Sequence, residues 1–77
     1  MIIKLPRVET PAYYKLMGEL MEDAEAKLPI RCHGFSYYHT IAYRWILPNG
    51  QVDHNLNHIP FRTLWKLTYG EGKEILE

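Results

Sequence analysis

Cysteine is all but missing: Cys32 is the only one in 77 residues. A lone thiol closes no intramolecular bridge, and a small domain in an oxidising compartment is normally stapled by several, so the sequence points to a reducing, cytoplasmic location. Net charge is missing too. Nine Lys and Arg balance nine Asp and Glu with the four histidines neutral, and the isoelectric point is near 6.9. That balance excludes a polyelectrolyte and argues against a dedicated nucleic-acid binder, whose footprint is clustered cations and a strongly basic pI. Long apolar runs are also lacking. The apolar start, Met1 to Leu5, meets Pro6 too soon for a signal peptide. The charge-free stretch 34–43 is about half the roughly 20 residues a spanning helix needs, so no membrane is expected. No internal repeat, linker or low-complexity tract breaks the chain.

What is present reads as a folded globular domain. Hydrophobic residues make up 47% and charged residues 23%, close to the average for such domains. A chain this short buries only about 60% of the surface its unfolded form exposes, so a single domain spanning residues 1–77, of marginal stability, is expected.

The periodicity predicts an α+β fold in the order β-α-β-β-α. Met1 to Leu5 reads as a short strand stopped by Pro6. Thr10 before Pro11 is a helix start, with the hydroxyl placed to cap and the proline suited to the first helical position. From there Tyr13, Leu16, Met17, Leu20, Ala24 and Leu28 recur at helical spacing, while Glu19, Glu22, Asp23 and Glu25 lie off that stripe and Pro29 ends it. Residues 28–34 read as a connector. From Phe35 the period becomes two: Tyr37, His39, Ile41, Tyr43, Trp45 and Leu47 form one strand face, expected to pack on the helices, and Ser36, Tyr38, Thr40, Ala42, Arg44 and Ile46 the other. Asn49-Gly50 predicts a long hairpin closed by a type I′ turn. The return strand, Gln51 to about His58, alternates weakly and suits a sheet edge. Pro60 opens a second helix carrying Phe61, Leu64, Trp65 and Thr68 on one face, and Gly70 ends it. The predicted core is Leu16, Leu20, Ile41, Tyr43, Trp45, Leu47, Leu56, Leu64 and Trp65.

No motif fixes a reaction. Cys32, His33, His39, His54 and His58 are zinc-type donors, but adjacent Cys32 and His33 are awkward ligands for one ion. His54 and His58 on one strand would stand about 13 Å apart. An HNH-type nuclease is excluded in the same way, because Asp53, His54, Asn55, Asn57 and His58 fall on a single short segment. Cys32 is flanked by Arg31 and His33 but lacks the surroundings of a nucleophile, and the helix carboxylates show no acid/base pairing. The expectation is a protein with no enzymatic activity, no metal and no cofactor. The helix-hairpin-helix order is shared with part of a double-stranded-RNA-binding domain. With no third strand before the second helix and no lysine cluster opening it, the sequence identifies no family.

Partner surfaces are the remaining reading. Residues 26–70 hold Lys27, Arg31, Arg44, Arg62 and Lys66 against Asp53 alone, whereas residues 1–25 hold five carboxylates against three cations. Six tyrosines and two tryptophans exceed what a thin core encloses, and such rings serve as interface anchors. The expected binding residues are Tyr14, Tyr37, Tyr38, Arg44, Arg62 and Lys66. They suggest a compact cytoplasmic interaction module, an accessory or inhibitory regulator acting sterically on a protein partner. The alternative is a nucleic-acid binder using the aromatic hairpin and second helix. Homodimerisation through the hairpin's edge strand is the third possibility.

Overall fold

In the computed structural model, which describes residues 1–35 and 40–76, the elements run β1 (Ile2–Lys4), α1 (Pro11–Lys27), β2 (Ile30–Phe35), β3 (Thr40–Trp45), β4 (Asn57–Pro60), α2 (Phe61–Tyr69) and β5 (Glu74–Leu76). The class is α+β. β2, β3 and β4 form an antiparallel sheet in that order, and β1 pairs with β5 in parallel.

Both helices form where local chemistry directs them. The Thr10 hydroxyl accepts the Tyr13 N–H at 3.3 Å and donates to the Arg7 carbonyl at 2.6 Å. Pro11 follows as the first helical residue. Tyr13, Met17, Leu20 and Ala24 are buried on α1, and Phe61, Leu64, Trp65 and Thr68 on α2, so each helix buries the stripe its periodicity foretells. The inward Thr68 hydroxyl is satisfied by the Leu64 carbonyl at 2.7 Å. Gly70 closes α2 by donating its N–H to Lys66 O at 2.8 Å.

Against these stripes lies one face of the three-stranded sheet. Ile30 and Ile41 are buried there, with Cys32, Phe35, Tyr43 and Ile59 packed around them. α1 and α2 both cover this face and touch each other.

Several sequence expectations are corrected. Residues 28–34 are not simply a connector: β2 begins at Ile30 and pairs with β3 from Ile30↔Trp45 to Phe35↔Ile41. The strand read from Phe35 to Leu47 is in strand form only from Thr40 to Trp45, with 36–39 outside the described residues. The return strand reduces to an isolated Ile46↔Val52 bridge and β4, which is the expected edge. The turn is not type I′, since Asn49 lacks the positive φ that type requires. Gly50 N–H bonds to Leu47 O at 2.8 Å, Leu47 N–H to Gln51 O at 2.7 Å, and Gly50 takes φ 86°. This is a Pro48-Asn49 turn followed by a left-handed glycine, a three-residue loop. Finally, Trp45, Leu47 and Leu56 are exposed, not core, and Leu16 and Tyr43 are half-buried. The molecule is elongated, 38 × 26 × 16 Å, and the hairpin end carries Trp45, Leu47 and Leu56 past the cover of a nine-residue α2. Trp45 packs edge-on against Tyr43 instead, with centroids 5.5 Å apart.

The tail, too short to assign from sequence, becomes β5. Glu74 N–H bonds to Met1 O at 2.8 Å and Leu5 N–H to Leu76 O at 2.6 Å. Trp65 fixes the approach to this strand by donating its indole N–H to Lys73 O at 2.7 Å.

Candidate interaction surface

Alternation along the strands decides what the other side of the sheet presents. Because Ile30, Ile41 and Tyr43 face the helices, Arg31, Ala42 and Arg44 face away. Register places Arg31 directly opposite Arg44, and Ala42 opposite His58. Pairing shifts between Cys32 and Gly34, so His33 is an extra residue and stands with Gly34 across from Ala42. Such a bulge puts two residues against one partner and favours glycine where the backbone bends. Gly34 has φ 147°, a conformation that side chains rarely adopt. His33 is thereby turned to the outer side.

The result is a sheet face bearing Arg31, His33, Arg44 and His58 that no helix or further strand covers among the described residues. Asp53 donates its N–H to Trp45 O at 2.8 Å, which aligns it with the helix-side residues. No carboxylate shares this face among the described strand residues. Like charges directly opposite across a strand pair are unfavourable, and Arg31 and Arg44 are such a pair. The Nε of Arg44 is buried and has no hydrogen-bond partner. A buried donor without an acceptor costs about 1–3 kcal/mol. An anionic group docked between the two guanidiniums would offset their mutual repulsion.

The sequence-predicted residues are distributed over separate surfaces. Arg44 lies on the outer sheet face. Tyr14 is exposed on α1 and leans on Phe35, with centroids 5.5 Å apart, so it borders the far end of β2. Arg62 and Lys66 are exposed on α2 and line a groove with β5. Tyr37 and Tyr38 lie outside the described residues, as does His39. Arg31, His33 and His58 complete the Arg44 surface but were not among the expected binding residues. Their grouping depends on β2 being a strand, and the one available signal was the Arg-x-His alternation after Pro29.

The reactive candidates take structural roles. Burial, and then the nearby Glu25 carboxylate, push the Cys32 thiol up to about 11, so it is protonated at neutral pH and a poor nucleophile. Its backbone N–H donates to Glu25 Oε1 at 2.8 Å, tying α1 to β2. Tyr69 is the hub of a second tie. Its hydroxyl donates to Asp23 on α1, while the Lys73 ammonium lies 4.4 Å and the Lys27 ammonium 5.6 Å from its ring. Lys27 also donates to Thr68 O at 2.7 Å. Burial first, then that hydrogen bond and the charges of Asp23 and Glu19, raise the Tyr69 phenol above its usual range.

Among the described residues, no group of three His, Cys, Asp or Glu is placed to hold a metal ion. None of their helices is long and apolar enough to cross a membrane. β2 supplies the third strand missing from the sequence comparison with double-stranded-RNA-binding domains. The start of α2 still carries only Arg62 and Lys66, and element order alone decides no function. No protein-family model, curated protein or solved structure matches the chain.

Proposed function

We propose that this protein is a cytoplasmic interaction module that docks the outer face of its β2-β3-β4 sheet on an acidic surface of a larger protein, regulating that partner sterically and catalysing no reaction. The observation that carries the reading is the Arg31–Arg44 cross-strand pair on an uncovered face, with Arg44 Nε buried and unbonded. Each guanidinium presents a planar fork of donors that matches carboxylates. His33 and His58 add donors at the rim. The face is small and holds two permanent cations, fewer than the phosphate contacts of a salt-driven nucleic-acid complex. The exposed side of α1, with Glu19, Glu22 and Glu25, would repel a polyanion that extends past this face, whereas a protein can confine its acidic patch to it. Both features favour a protein over a nucleic acid.

The test is affinity capture with the tagged full chain and with Arg31→Ala/Arg44→Ala, each divided into nuclease-treated and untreated halves. A stoichiometric protein that survives nuclease and is lost by the double variant supports the reading. Recovery that collapses after nuclease transfers the function to the nucleic-acid alternative, with Arg44, Arg62 and Lys66 as its cations. A partner retained undiminished by the folded double variant removes the sheet face from the mechanism.

A further inference from the structure

The helix and strand that close the chain leave an apolar surface that the sheet-face reading does not use. Leu67 on α2 and Leu76 on β5 are 57% and 58% exposed. Both line one open groove of about 940 Å³, which Lys66, Lys73, Glu71 and Glu74 also border. Ile2, paired in register with Glu74, is 67% exposed and extends the apolar area onto β1. Paired exposed leucines beside further apolar surface are the usual mark of a contact surface.

Two observations identify the occupant. First, the groove carries both signs of charge, with Arg62, Lys66 and Lys73 beside Glu71 and Glu74 at its border. A strongly acidic or basic partner would be opposed by part of that border. A second copy related by a two-fold axis brings both signs to both sides, as a self-complementary interface requires. The zero net charge of the chain also leaves no long-range repulsion between copies.

Second, among the described residues β5 has an unpaired edge. Glu74 gives its N–H, and Leu76 its carbonyl, to the β1 side. In a parallel ladder the intervening residue turns its groups the other way. Ile75 therefore directs its N–H and C=O to the edge opposite β1, where the groove lies and where the described sheet has no further strand. An open edge beside exposed leucines is a template for another strand.

We propose that the protein forms a two-fold homodimer across the α2-β5 groove, the two β5 strands adding antiparallel about Ile75 and Leu67 and Leu76 closing the centre of the interface. This surface is separate from the outer sheet face, so partner binding and dimerisation can fail independently.

Sedimentation equilibrium of the full chain over a range of concentrations tests it, with Leu67→Glu and Leu76→Glu as interface variants and Leu56→Glu as an exposed-leucine control on the hairpin. The expected result is a species of twice the 9.1 kDa chain mass whose dissociation constant rises at least tenfold in both interface variants and is unchanged in the control. Circular dichroism identifies any variant that fails to fold, and protection of the Ile75 amide from hydrogen exchange, rising with concentration in the unmodified chain, reports the strand pairing without any substitution. A monomer at every concentration up to about 1 mM, the weak end of the affinity scale, would overturn the proposal. So would a dimer that persists in both folded interface variants, or one broken by Leu56→Glu alone.

Discussion

The two faces of the β2-β3-β4 sheet come from the same three strands and differ in every respect that matters. The helix side buries Ile30 and Ile41 beneath Met17, Leu20, Leu64 and Trp65. The outer side sets Arg31 against Arg44 and leaves a buried donor unbonded. One face is organised by burial and supplies stability; the other accepts an electrostatic penalty. In a chain with so little core, a feature that opposes stability is the ground for proposing that this face docks on a partner.

The largest effect belongs to the covered face. Leu20→Ala empties a fully buried position and should cost about 2–5 kcal/mol, seen as a large fall in the urea midpoint or loss of the cooperative transition. The next belongs to the tie between α1 and α2: Tyr69→Phe removes the hydrogen bond to Asp23 and should cost about 1.5 kcal/mol, the low end for bonds to charged groups because the site is half-exposed. Equal urea midpoints for Tyr69→Phe and the unmodified chain would make that tie incidental.

Arg31→Glu divides the two faces most sharply. It converts the like-charged pair with Arg44 into an opposite one, so stability should rise by about 0.2–1 kcal/mol while binding to the proposed acidic partner is lost. A destabilised Arg31→Glu would show that the pair is not frustrated. Cys32 gives a smaller, pH-dependent effect. The folded chain retains a proton up to about 11 that a free thiol releases at 9.0, so stability should fall as pH rises between those values and thiol alkylation should titrate near the upper one. Cys32→Ser should flatten that part of the profile. Smallest of all, Leu56→Ala at the exposed hairpin end should change stability by no more than about 0.5 kcal/mol.

How much of this was legible depends on the range of the interactions. Both helices were readable to their caps, because Thr10, Pro11, Pro60 and Gly70 act within one turn and the buried stripes repeat every three or four residues. The inward side of β3 was readable from alternation. β2 was missed because Pro29, Cys32 and Gly34 give it little intrinsic strand character, and its pairing with β3 includes a bulge at His33. Alternation puts Trp45, Leu47 and Leu56 in the core because it gives a face but not how far the helices extend over it. The candidate surface was legible only at Arg44, since its neighbours on β2 and β4 arrive through pairing.

The sequence by itself determined the α+β class, the extent and buried faces of α1 and α2, and the position of the turn at Asn49-Gly50. These are set by contacts between residues a few positions apart, which local order encodes directly. Tertiary structure alone decided that 30–35 is a strand, that the chain's first and last strands pair in parallel, and that Arg31 and Arg44 face each other on an open sheet. Strand pairing joins residues far apart in sequence, and its register is chosen by which arrangement buries the apolar faces of both helices at once.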